Sequence, residues 1–142
     1  MTTSEFITAE QQWERVLKRG QRFAAEIAEL YAQHQQTECS LEMIELENQA
    51  RAECQCVQVK SCWRTIDERN EPWEGEVYRL QIDLGGPAMQ VTGQLDRFNE
   101  PASAVVEVQD WFKPWTEITT TTPEEDAALL WFASLFYYGA EE

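Results

Sequence analysis

The chain has 142 residues, the size of one domain, and 43% of them are hydrophobic, including six Trp, six Phe and four Tyr. A domain of that size buries roughly two thirds of its unfolded surface, so a disordered chain is excluded and a core is expected without help from metals or disulfides. Twenty-six acids against 11 bases give a net charge of −15, well past the magnitude of about 2 to 8 that suits a small soluble domain; direct contact with nucleic acid or with an anionic membrane is thereby disfavoured, because both need Lys and Arg.

The N-terminal stretch MTTSEFITAEQQWERV lacks a basic start followed by an apolar core, so no signal peptide is expected. No apolar run approaches the length of about 18 to 20 residues that spans a bilayer. A cytoplasmic protein is expected, with Cys39, Cys54, Cys56 and Cys62 as thiols.

Thr8, with Gln11 three residues later, forms a capping-box start. Apolar or small residues then recur at Trp13, Leu17, Gly20, Ala24, Ile27, Tyr31 and His34, flanked by Val16, Phe23 and Leu30. The spacing predicts one long helix over residues 9–36, with Gly20 inside the seam where another helix approaches closely. A stop at Gly20, behind Lys18 and Arg19, is the alternative. A second helix is predicted from Ser40 to Glu53, its apolar spacing carried by Cys39, Met43, Leu46 and Ala50 with Leu41 and Ile44 beside them, and its outer face by Glu42, Glu45 and Glu47. A short connection makes the pair a helical hairpin over 9–53.

From Cys54 the period falls to two. The first strand places Val57, Val59 and Trp63 on one face and Cys56, Gln58, Lys60, Cys62 and Arg64 on the other. After the charged loop DERNEPWEG, a second strand turns Tyr78, Leu80, Ile82 and Leu84 inward and Val77, Arg79, Gln81 and Asp83 outward. Gly85 and Gly86 with Pro87 mark a hairpin. The third strand buries Met89, Val91 and Leu95 and presents Gln90, Thr92 and Gln94; the fourth turns Val106 and Val108 inward and Glu107, Gln109 and Trp111 outward, until Pro114 ends regular pairing. The segment KPWTEITTT reads as irregular.

In the last segment, TPEEDAALLWFASLFYYG, Thr122 is the cap, Pro123 the first helical residue and Glu125 the third, followed by a run in which only Ser134 is polar from Ala127 to Tyr138. A helix over 122–139 is predicted, buried on all sides. The fold class is therefore α+β: an N-terminal helical hairpin, a four-stranded antiparallel meander over 54–118, and a buried C-terminal helix, in a single domain. If the hairpin leaves part of the last helix uncovered, that surface is where a homodimer is expected.

Chemistry-bearing motifs are scarce. The cysteine spacing C-x14-C-x-C-x5-C matches no common zinc pattern, so neither metal nor cofactor is expected. The single histidine, His34, has no nucleophile context, and its place at the end of the first helix suits a packed or helix-terminal role. The GGP element joins two strands and opens no helix, so it lacks the dipole of a phosphate cradle. No catalytic residues are assigned, and an enzyme is not expected. The aromatic groups are more informative: Trp111, Phe112 and Trp115 surround Lys113 and Pro114, and Trp73 sits in the earlier loop. Such rings either cover a core or anchor an interface. Arg64, Arg79 and Arg97 are the bases near the sheet and, with the Trp side chains, would suit an anionic small molecule.

The stretches GGPAMQVTGQLDRFNEP, QDWFKPWTE and LLWFASLFYYG, between Gly85 and Gly139, resemble small acidic proteins of bacteriophages and other mobile elements. The resemblance implies a host-cell setting and an inhibitor of host defence, such as an anti-CRISPR or anti-restriction protein. The leading expectation is a non-enzymatic acidic protein that blocks the basic nucleic-acid-binding surface of a defence complex. Glu42, Glu45 and Glu47 would meet its Lys and Arg side chains, with Trp73, Arg79, Trp111 and Trp115 as further contacts. The alternatives are a protein that sequesters a nucleotide signal, and an immunity or chaperone protein for a basic toxin or effector.

Overall fold

A computed structural model describes residues 8–60, 77–84, 87–96, 98–110, 113–119 and 121–138. Cys62, Trp63, Arg64, Trp73, Gly85, Gly86, Arg97, Trp111, Phe112 and Gly139, all named above, lie outside the described residues. The elements run α1 (Ala9–Gln36), α2 (Ser40–Arg51), β1 (Cys56–Lys60), β2 (Val77–Asp83), β3 (Ala88–Gln94), β4 (Val105–Gln109), β5 (Thr116–Glu117) and α3 (Pro123–Ser134). Every neighbouring strand pair is antiparallel, in the order β1-β2-β3-β4-β5. The expected α+β class holds, but among the described residues the sheet has five strands rather than four. Pairing resumes beyond Pro114: Thr116 sits opposite Val108, Glu117 opposite Glu107, and the Ile118 amide donates to the Val106 carbonyl at 2.8 Å.

Both capping boxes form. The Gln11 amide donates to Thr8 Oγ1 at 3.0 Å while the Thr8 amide donates to Gln11 Oε1 at 3.0 Å, and Thr122 and Glu125 repeat the exchange at 3.1 and 3.0 Å. Each cap satisfies two amides that the first helical turn would leave orphaned. α1 continues through Gly20 without a break and buries Val16, Gly20, Phe23, Ala24, Ile27 and Leu30. What approaches Gly20 is the sheet, not a helix: a Cβ there would meet Ile118 Cγ1 at 2.8 Å and Val108 Cγ1 at 3.0 Å. α1 is the hub of the fold, packing against α3, α2 and β4.

The two-residue period of the strands survives, while the burial expected from it fails at the margins. Val57 pairs with Leu80 and Val59 with Tyr78, so both valines share the core face, yet they are 38% and 42% exposed. Among the described residues β1 is an edge strand and packs substantially only on β2, which leaves its inner face at the margin of the core. Burial alternates along β2 to its end, but the pairing of β2 with β3 shifts register between Gln81 and Asp83. Asp83, expected outward, instead pairs with Arg19 of α1, and Leu84, expected inward, is exposed.

α3 is shorter and less buried than its sequence suggests. Ala128, Leu129, Phe132 and Ala133 are buried, but Leu130 is 38% exposed and Tyr137, beyond the helix, 72% exposed. The helix stops at Ser134, ahead of Gly139, because its last carbonyls find other donors. Ser134 Oγ donates to the Trp131 carbonyl at 2.6 Å, the Leu135 amide to Phe132 at 3.1 Å, and the Tyr138 hydroxyl to Ala133 at 2.6 Å. Arg51 of α2 takes the Leu135 carbonyl through Nε at 3.1 Å, tying the hairpin to this end. Trp131 is half-buried, its ring 5.3 Å from Tyr31 and 5.2 Å from His34. The Phe132 ring lies edge-on to Phe23 at 5.6 Å and to Phe136 at 5.3 Å.

Tyr138 brings its ring to 5.0 Å from Tyr78, whose hydroxyl donates to the Ser103 carbonyl at 2.6 Å. Burial pushes both phenols far above their ordinary value of 10.0, and burial likewise raises the Cys54 thiol above 9.0. The neutral forms are favoured in the folded state, so the unfolded chain loses these protons first as pH rises. Stability should hold up to about pH 9 and then fall steadily, as the thiol and then the phenols ionise in the unfolded state. Denaturant unfolding between pH 8 and 11 checks this, and Tyr138→Phe should make the alkaline fall shallower; an equal slope in that variant would refute the assignment.

Candidate functional site

The helices cover one face of the sheet, and alternate residues form the other. Strand register sets Gln58, Arg79, Thr92 and Val105 in one row across β1 to β4, and Cys56, Gln81, Gln90, Glu107 and Glu117 in the next. This second face is polar because the apolar positions of each strand are spent on the core. It is also concave, forming an open groove of about 790 Å³ lined by Gln58, Lys60, Arg79, Gln90, Thr92 and Glu107.

Among the residues lining the groove, Gln90 is only 4% exposed. Its Nε2 donates to Glu107 Oε1 at 2.7 Å, while its own Oε1 has no hydrogen-bond partner among the described residues. An unmet buried acceptor costs about 1–3 kcal/mol. Arg79 is held differently: Nε donates to Gln58 Oε1 at 2.8 Å, and Nη2 donates to the same oxygen. Among the described residues no carboxylate lies within ion-pair reach of Arg79, despite the acidity of the chain. A neutral amide therefore fixes the guanidinium and leaves its charge uncompensated.

The carboxylates singled out on α2 separate into two groups. Glu42 and Glu45 are exposed, whereas Glu47 turns toward α1, where Oε2 meets His34 Nε2 at 2.8 Å and Oε1 lies 3.6 Å from Arg51. Glu47 thus belongs to the packing of the hairpin and not to its outer face; it is half-buried on the side of α2 that also carries Met43, Leu46 and the buried Ala50. Glu42 accepts from the Thr37 hydroxyl in the turn before α2. Beside Glu42 and Glu45, Leu41 is 71% and Ile44 is 51% exposed. Of the aromatic side chains expected at an interface, Trp115 is half-buried, and Lys113 sits with Nζ 5.4 Å from the Trp13 ring centroid.

Cys54 Sγ donates to the Cys56 carbonyl at 3.4 Å, and Cys39 is exposed before α2. Among the described residues no group of three or more His, Cys, Asp or Glu side chains is placed to hold a metal ion, and no helix is long and apolar enough to cross a membrane. Sequence reading located Arg79 on the open face but missed Gln90 as a site residue, because a Gln at an outward strand position carries no sign that it will be buried. In comparisons with known protein families, curated proteins and solved structures, the chain finds no significant match.

Proposed function

We propose that this chain is a non-enzymatic binding protein that inhibits a host nucleic-acid-targeting defence complex, a CRISPR effector or restriction enzyme, by setting the outer face of α2 on its basic nucleic-acid-binding surface. The observation that carries the reading is the make-up of that face. Leu41 and Ile44 stand 71% and 51% exposed among Glu38, Glu42 and Glu45, and no cation lies within ion-pair reach of these three acids among the described residues. Two large aliphatic side chains left in water forgo up to about 1.5–3 kcal/mol each that a partner would recover. The surrounding carboxylates require that partner to be basic, and they steer it electrostatically. A surface built to hold phosphates meets the second condition, so α2 and the nucleic-acid backbone would compete for the same Lys and Arg side chains. The net charge of −15 supports a basic partner, and the host setting rests on the resemblance to phage-encoded acidic proteins.

Immobilised protein incubated with host lysate tests the reading. It should retain a nucleic-acid-binding protein at low salt, release it at high salt, and lose it to added duplex DNA. Leu41→Ser combined with Glu45→Lys, both at exposed positions, should weaken retention about tenfold or more while leaving the helical circular dichroism unchanged. Retention that ignores salt, DNA and the double variant would defeat the proposal, as would the absence of any such partner.

A further inference from the structure

We propose that the open face of the sheet binds a small phosphate monoester through its phosphate group, with Arg79 as the principal contact and Lys60 and Thr92 beside it. The site is separate from the α2 face and stands or falls independently of it.

The first support is the edge of Arg79 that remains open. Gln58 Oε1 accepts from both Nε and Nη2, so a single amide oxygen occupies the lateral edge of the guanidinium. The terminal edge keeps two parallel N–H groups, one on each Nη nitrogen, and no carboxylate lies within ion-pair reach of them among the described residues. Two parallel N–H groups form the fork that takes two oxygens of an oxyanion at once. The fork is also held in place beforehand: Arg79 is half-buried in the middle of β2, with Gln58 directly opposite on β1. Little side-chain freedom is left to lose on binding.

The second support is the local charge. Among the described residues the groove is lined by two cations, Lys60 and Arg79, and one acid, Glu107, which reverses the balance of a chain with 26 acids and 11 bases. Glu107 stands two strands and one row away from Arg79, a Cα separation of about 12 Å by strand geometry, and its Oε1 is taken by Gln90 Nε2 at 2.7 Å. More distant acids are screened over about 8 Å at physiological ionic strength. Lys60 is the diagonal neighbour of Arg79, about 7–8 Å away between Cα atoms and within reach of a long side chain. Thr92 lies directly opposite Arg79 on β3 and adds a hydroxyl. A carboxylate would spend both its oxygens on the fork, whereas a phosphate has a third for Lys60 or Thr92. The groove of about 790 Å³ exceeds a bare phosphate, and half-buried Val77, opposite Lys60, offers apolar surface to the organic part of an ester.

Isothermal titration and thermal shift with phenyl phosphate, inorganic phosphate and benzoate, at constant ionic strength, test the proposal. Phenyl phosphate should bind saturably, raise the melting temperature, and exceed benzoate about tenfold and inorganic phosphate several-fold in affinity. Arg79→Lys keeps the charge and removes the fork, so it should weaken phenyl phosphate about tenfold. Gln58→Leu keeps Arg79 and releases its lateral edge, and should weaken the same ligand several-fold. Without ligand both variants should melt within a degree or two of the parent, because neither position belongs to the core; if Arg79→Lys melts lower, Gln58→Leu, at an exposed position, carries the test. The inference is overturned if phenyl phosphate shows no saturable binding at millimolar concentration, if benzoate or inorganic phosphate binds as tightly, or if the variants bind as the parent does.

Discussion

Gly93→Ala should lower stability by about 3 kcal/mol or more, a fall in melting temperature of about 10 °C for a domain of this size. A Cβ at Gly93 would lie 1.9 Å from the Ser103 carbonyl oxygen and 2.7 Å from its carbon, so the obstacle is backbone. The chain ahead of β4 is strapped over this position: the Ala102 amide donates to the Gln94 carbonyl at 2.7 Å and the Gln94 amide to Ser103 Oγ at 3.1 Å. The same Ser103 carbonyl takes the Tyr78 hydroxyl at 2.6 Å. To admit a methyl group the strap must lift, and a buried phenol then loses its partner. Thermal unfolding of Gly93→Ala, Tyr78→Phe and the double variant checks this: the double should cost less than the sum of the singles, because both remove the same bond. A loss of only a degree or two in Gly93→Ala would mean that the strap moves freely.

Gly20→Ala provides the contrast, with an expected change within about 1 kcal/mol of zero. The helix gains from losing a glycine, while the contact at 2.8 Å is with Ile118 Cγ1, a side-chain atom that can shift by a few tenths of an ångström more cheaply than the backbone carbonyl of Ser103. The same substitution has different consequences because the nearest atom differs.

Local rules were the legible part of this sequence. Both capping boxes depend on residues three apart, and both formed as read. Periodicity identified the buried face of α1, Gly20 included, but it reports which side is covered and not by what; hence a helix was expected where Ile118 and Val108 stand. Val57 and Val59 show the same limit. Their face was correct, and their exposure follows from β1 being an edge strand among the described residues, a property of topology that no window of sequence contains. The candidate groove was half legible. Arg79 stands where alternation placed it, whereas the Gln90–Glu107 contact depends on the register of β3 against β4. That register is fixed by the intervening turn, in which Asp96 Oδ1 accepts from the Phe98 and Glu100 amides at 2.8 and 3.0 Å and Asn99 takes a positive φ of 63°.

Phe132→Ala should cost about 3–5 kcal/mol, whereas Leu130→Ala, two residues away on the same helix, should cost less than about 1 kcal/mol. In the sequence the two positions are equivalent, both inside an unbroken apolar run. In the fold Phe132 is fully buried, with its ring edge-on between Phe23 of α1 and Phe136 beyond α3, while Leu130 is 38% exposed. Truncation at Phe132 opens a cavity where α1 and α3 meet, and neither neighbour can close it without giving up its own packing. Denaturant midpoints for the two variants measure the difference directly. A gap of at least about 2 kcal/mol is expected from the burial difference. Equal losses would mean that Leu130 is covered in solution, as it would be in a homodimer formed through α3, and light scattering on the same samples would then reveal the second copy.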